Sequence, residues 1–246
     1  MDQIVSMTRK RLLKADRRAS ILDAASKVFA EHGREGAKTQ LIAAEAQVSE
    51  ALIFRHFPSK DALYCAVLRK LIRDQDASFR SIGVMTPDAR GLVGMMRAYL
   101  TNCVRGQVQP SSDSIRVLYA SLAGDGHFAR LTYRRAIRLS LVPLRAALEG
   151  ARVAGELEGT PIDVANVVAL IEHVGSNVCV ARVGERPTVQ YSGDDTELVQ
   201  QLVMFCGRGI GLKEEAIRKY LDEPSPAVAP GAFRVKRRAG TRRVTL

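Results

Sequence analysis

Several features are scarce in this 246-residue chain, and each scarcity removes a class of protein. There are four cysteines, Cys65, Cys103, Cys179 and Cys206, far apart and without metal-ligand spacing. They read as thiols in apolar helical surroundings, with a redox sensor as the lesser alternative. The four histidines, His32, His56, His127 and His173, form no ligand pattern with one another or with a cysteine, so no metal is expected. Gly207, Gly209 and Gly211 lack the lysine and the strand of a phosphate loop, and no Gly-x-Ser-x-Gly elbow occurs. The acid pair Asp194 and Asp195 reads as the entry to a helix. No catalytic residue or cofactor is expected, and the chain does not read as an enzyme. No run of eighteen uncharged apolar residues occurs, and Arg9, Lys10, Arg11 and Lys14 are not followed by the apolar segment of a signal peptide. A cytoplasmic location with no membrane partner is expected.

Alternation of strand type is also scarce. Helix formers dominate, and a composition of 46% hydrophobic and 26% charged residues suits a globular chain. An all-α fold is expected, long enough for one small and one medium domain. Acids are outnumbered by bases at the two ends. Residues 1–75 carry 14 Lys and Arg against 9 acids, residues 76–224 carry 17 against 17, and residues 225–246 carry 6 against none. A basic segment attracts nucleic acid through phosphate neutralisation and counterion release. The neutral middle is expected to do something else.

The stretch from Thr39 to Leu63 carries the most information. A helix opening at Thr39 turns Ile42, Ala43 and Ala46 inward, with the Thr39 hydroxyl as candidate N-cap. Gln47 and Val48 form a turn, and Ser49 caps a second helix. There Ile53 and Phe57 face the core, while Glu50, Ala51, Leu52 and Phe54 point outward. Pro58 ends that helix. Ser59 caps a third, with Lys60 and Asp61 in its first turn, where a cation suits a bound anion such as a DNA phosphate. Ahead of this, a helix from Asp16 to His32 buries Ile21, Ala25, Val28 and Phe29.

Residues from about Arg17 to Leu71 resemble the DNA-binding domain of the TetR family of bacterial transcription regulators. Gly33, Thr39, Val48, Ser49, Phe54, His56, Phe57, Ser59, Lys60 and Leu63 fill the family's pattern. Gln47 stands where the family usually has glycine, and Phe54 where it usually has a tyrosine that donates to a phosphate. The resemblance implies a three-helix helix-turn-helix domain followed by a larger helical ligand-binding and dimerisation domain. It also implies a homodimer on a palindromic operator in double-stranded DNA, most often a repressor released by a small-molecule effector.

Glu50 and Ala51 are placed to reach base edges, a carboxylate accepting from cytosine N4 and a methyl touching thymine, with Leu52 adding apolar contact. Thr39, His56 and Lys60 match family positions that hold the phosphate backbone, and Arg55 is a further candidate there. Ser49 and Phe54 complete the candidate DNA-facing set. Glu50 reads equally as a surface acid favouring the positive helix end.

The expected organisation is a basic arm over 1–15, the DNA-binding domain over 16–63, a connecting helix over 64–82, a regulatory and dimerisation domain over 83–223, and a disordered basic tail over 224–246. Further helices are placed at roughly 88–106, 113–123, 126–154, 162–183 and 194–210. Val167, Ile171, Val174 and Val178 repeat at helical spacing, as do Leu198, Leu202 and Phe205. The spacing alone reads first as intrachain core, whereas the resemblance implies a dimer interface of four helices. Arg97, Asn102, Arg116, Tyr119, His127, Tyr133, His173 and Asn177 interrupt apolar helices and are the candidate effector contacts, each also readable as a surface or satisfied core group. Two other readings stay open: a DNA-binding regulator without a small-molecule switch, and a helical interaction module that has lost specific DNA binding.

Overall fold

The computed structural model describes residues 14–81, 85–106, 112–183 and 186–223. The tail over 224–246, and all but the last two residues of the expected N-terminal arm, lie outside these. The described residues form ten helices and no strand, so the all-α expectation is met; a lone antiparallel bridge joins Leu157 to Leu212. They divide into two compact units, one within residues 14–74 and 112–134, the other within residues 75–106 and 135–223.

The first unit holds α1 (Lys14–Gly36), α2 (Thr39–Glu45), α3 (Glu50–His56), the early turns of α4 (Lys60–Ser81), α6 (Ser112–Ala123) and the start of α7 (His127–Val153). The face expected of the first helix is its buried face: Ile21, Ala25, Val28 and Phe29 are all within the core. Gly33 adopts φ 64°, a left-handed conformation that interrupts α1 beside the expected end at His32. Ile42, Ile53, Phe57, Leu63 and Val67 complete the core of the head. Each such side chain contributes about 1.5–3 kcal/mol through burial. The expected regulatory segment thus loses α6 to this unit, because Ile115, Val117 and Leu118 are buried and α6 packs on α1.

The turn between α2 and α3 is a Schellman motif. The Gln47 N–H donates to the Ala44 carbonyl (3.1 Å) and the Val48 N–H to the Ala43 carbonyl (2.9 Å), with Gln47 itself at φ 52°. The backbone therefore keeps the left-handed turn that glycine usually supplies, despite glutamine at that position. The start of α2 differs from expectation: Lys38 is the N-cap, without a side-chain cap bond, and Thr39 is the first helical residue.

The second unit is built around α5 (Ala89–Val104), against which α8 (Val164–Arg182), α9 (Asp195–Gly209) and α10 (Glu214–Leu221) pack. Asp88, Asp163 and Asp194 cap α5, α8 and α9, and Asp194 with Glu197 forms a capping box, which bears out the reading of that acid pair. The sequence reading missed α10; its signals are Glu214 and Glu215 in the first turn, Arg218 and Lys219 in the last, and Ala216 and Ile217 buried. Gly175 lets α8 approach α5 closely, since a Cβ there would meet the Tyr99 ring at 2.5 Å. By length and composition alone α8 is apolar enough to cross a membrane, yet Val167, Ile171 and Val178 are buried in this unit.

Candidate nucleic-acid interface

The exposed side of the head is organised by local hydrogen bonds. The Ser49 hydroxyl accepts from the Leu52 N–H at 3.2 Å, and the Ser59 hydroxyl from the Ala62 N–H at 3.0 Å, so both predicted caps form. Each bonds an amide of the first turn, where helix starts have too few carbonyl partners, and the Leu52 N–H also donates to the Ser49 carbonyl at 3.0 Å. The Thr39 hydroxyl, in contrast, donates to Glu50 Oε2 at 2.7 Å and caps nothing. This bond joins α2 to α3, and it engages two residues that the sequence reading had assigned to separate DNA contacts.

Ala51, Phe54 and Arg55 are exposed on α3, while Leu52 and His56 are half-buried and Ile53 and Phe57 lie in the core. Phe54 is 45% exposed, a large apolar side chain standing in solvent. It has no hydrogen to donate to a phosphate. Arg18 stacks over the Phe57 ring at 4.7 Å and helps seat the C-terminal end of α3. Lys60 Nζ donates to the Glu35 carbonyl at 3.1 Å, and among the described residues no carboxylate pairs with it. Its neighbour Asp61 is instead neutralised by Arg34, at 2.9 Å. The cation at the start of α4 therefore keeps its charge available to an anion.

Arg34 is a feature that sequence reading did not find. Its guanidinium bridges Asp61 and, at 3.4 Å, Asp125 in the turn before α7, and lies 5.6 Å over the Tyr64 ring. Burial pushes Asp125 up, but the His127 N–H, the Ser121 hydroxyl and Arg34 together overcome this and hold its carboxyl below the usual range. Burial, reinforced by Asp125, pushes the Tyr64 phenol up to about 12. No local signal connects Arg34 with Asp125, 91 residues away.

The eight candidate effector residues are divided between the units. Arg116, Tyr119, His127 and Tyr133 belong to the first, and Arg97, Asn102, His173 and Asn177 to the second. Arg97 Nη1 donates to the carbonyls of Leu221 (3.0 Å) and Glu223 (2.8 Å), anchoring the end of α10. Asn177 bonds the His173 carbonyl on its own helix, and both residues are exposed. A cavity of about 200 Å³ in the first unit is lined by Phe29, Tyr64, Val117 and Asp125 among others, and by none of the eight.

Val167, Ile171, Val178 and Leu198 are buried in the second unit's own core, which corrects their assignment to a surface between copies. Val174 and Leu202 are half-buried, and Phe205 is 68% exposed; Leu170, absent from the sequence-based set, is 53% exposed. Tyr99 donates to Glu172 Oε2 at 2.8 Å between α5 and α8, and burial pushes the Glu172 carboxyl up to about 7. Cys103, Cys179 and Cys206 are buried as expected and Cys65 is half-buried, all as free thiols.

Two short helices, α2 and α3, on either side of a left-handed turn, the second of them capped and exposed, define a helix-turn-helix head. The sequence profile of bacterial regulatory proteins, tetR family, matches residues 21–67. The match places residues 21–67, the helix-turn-helix head, with the DNA-binding domains of that family. Among curated relatives, the transcriptional activator FasR of Mycolicibacterium smegmatis is 38% identical over 80 residues, 32% of this chain and 36% of that protein. The transcriptional regulator RutR of Escherichia coli K12 is 42% identical over 64 residues, 26% of this chain and 30% of that protein. The chain thus matches about a third of the length of these relatives. A TetR-like transcriptional regulator from Rhodococcus sp. RHA1 superposes with a TM-score of 0.56 at 20% identity, covering 81% of this chain and 98% of that one. The ketosteroid transcriptional regulator KstR2 of Mycobacterium tuberculosis does so at 0.55 and 18%, covering 80% and 96%. At these identities the likeness establishes the fold.

Proposed function

We propose that this protein is a cytoplasmic, sequence-specific DNA-binding transcriptional regulator that acts as a homodimer on a palindromic operator. The observation that carries this is the exposed face of α3, with Ala51, Phe54 and Arg55 displayed on a helix fixed by Ser49, Thr39 and the Schellman turn, beside the unneutralised Lys60. A short helix so displayed reaches few base pairs, so selectivity calls for two heads on two half-sites. The exposed Phe205 and Leu170 supply apolar surface for pairing two copies. Small-molecule release from the operator follows the family's usual mode and would bias one of two conformations of the dimer. A regulator without such a switch is the second reading, favoured by the anchoring of Arg97 on the end of α10.

The test is selection of duplexes from a random DNA pool by the full-length protein at near-physiological salt. Recovery of an inverted repeat supports the reading, and recovery of no motif defeats it in favour of an interaction module. Lys60→Ala is expected to weaken all duplexes about equally and to lower the salt slope by about one counterion. An unchanged slope would remove Lys60 from the phosphate contacts.

A further inference from the structure

Resting on the DNA-reading function proposed above, we infer that α3 selects bases mainly through the 5-methyl groups of thymine, touched by Ala51 and Phe54, and that Glu50 positions the helix instead of reading a base. Glu50 Oε2 accepts from the Thr39 hydroxyl at 2.7 Å, and the residue is half-buried. A carboxylate that accepts from cytosine N4 has to extend into the major groove. Here it turns back to α2, where it ties the first turns of the two helices together and fixes the direction of α3.

What remains on the solvent side is predominantly apolar. At 3.6 residues per turn, Ala51, Phe54 and Arg55 fall within about a third of the helix circumference. All three are exposed, and the Phe54 ring joins no aromatic pair among the described residues. A phenyl ring and a methyl group gain free energy only by leaving water for another apolar surface. In the major groove the thymine methyl is the apolar group that a base edge offers, and cytosine lacks it. Arg55 supplies the cation on the same face and holds the strand through phosphate, which carries orientation and no sequence.

The experiment begins with the motif recovered from the random pool by the full-length protein. That duplex is then synthesised with deoxyuridine in place of thymidine at one position at a time, which preserves pairing and removes one methyl. The expected result is a loss of affinity of about fourfold at symmetry-related thymines, the factor that burial of one methyl corresponds to, and no loss at other thymines. Phe54→Ala should bring the thymine-to-uracil ratio close to one at one of these positions. Because Phe54 is exposed, this variant should fold, and the uracil duplexes test the wild-type protein in any case. Equal binding of every uracil duplex, or a motif without thymine, overturns the inference and leaves the proposed function standing. A Phe54→Ala protein that keeps the full ratio overturns the role of that ring. Recovery of no motif removes the function, and the inference with it.

Discussion

The replacement Glu172→Gln should flatten the dependence of stability on pH. Glu172 lies between α5 and α8, accepts from the Tyr99 hydroxyl, and has its carboxyl pushed by burial from 4.5 to about 7. An unfolded chain exposes the same carboxyl to water at its ordinary value. Between these two values the folded protein holds a proton that the unfolded chain has released. Stability therefore falls as pH rises through the window from about 4.5 to 7 and is level above it. One pKa unit corresponds to about 1.4 kcal/mol. Water reaching this half-buried side chain reduces the effect to on the order of 1–2 kcal/mol in all. Glutamine preserves the acceptor for Tyr99 and cannot ionise. Thermal unfolding followed by circular dichroism at pH 5 and pH 8 should show the variant gaining on the wild type by about 2–8 °C at the higher pH, using roughly 2–4 °C per kcal/mol for a chain of this size. Parallel pH profiles for the two proteins would refute the argument, since they would mean that Glu172 ionises alike in both states.

Other expectations follow from single positions. Gln47→Gly should stabilise the first unit by about 1 kcal/mol, because a residue with a Cβ pays roughly that much in the left-handed region; hydrogen exchange of the α2 and α3 amides reads it. Ser49→Ala should cost about 1 kcal/mol by removing the side-chain cap from the start of α3, with the same readout. Gly175→Ala should destabilise the second unit by about 1–3 kcal/mol through the clash with Tyr99, measured as a lowered melting temperature. Phe205→Glu should shift the full-length protein toward monomer in analytical ultracentrifugation while leaving its helix content unchanged, as the side chain is exposed.

What was legible in the sequence was mostly local. Caps at Ser49, Ser59 and Asp194, the glycine beside His32, and the apolar period of α1 each depend on residues within about four positions, and the structure realises them. The division into units was not legible. That α6 belongs with α1, and that Arg34 meets Asp125, depend on packing between distant segments for which no local pattern exists. The helix α10 escaped notice because an eight-residue element contributes two buried side chains, Ala216 and Ile217, to the periodicity that reveals helices. Periodicity also told which residues share a face without telling what covers it: Val167 and Ile171 form one stripe with Val174, yet the first two are buried in the chain's own core.

The same limit governs the candidate DNA contacts, and it shows why the Thr39–Glu50 bond matters. A helical-wheel argument places Glu50 and Phe54 side by side on the outside of α3 and treats them as equal candidates for base contact. Their difference comes from α2: the Schellman turn at Gln47 sets the direction in which α3 leaves, and this brings Thr39 within hydrogen-bonding reach of Glu50. The polar neighbour is drawn back onto the head, and the apolar one is left in solvent. A conformation that usually calls for glycine, held here by glutamine, thus bears on which side chain of α3 stands free in solvent. Relaxing that turn with Gln47→Gly should therefore stabilise the fold without altering preference at thymine positions, whereas Thr39→Val, which removes the hydroxyl at nearly constant volume, should loosen α3 and alter it.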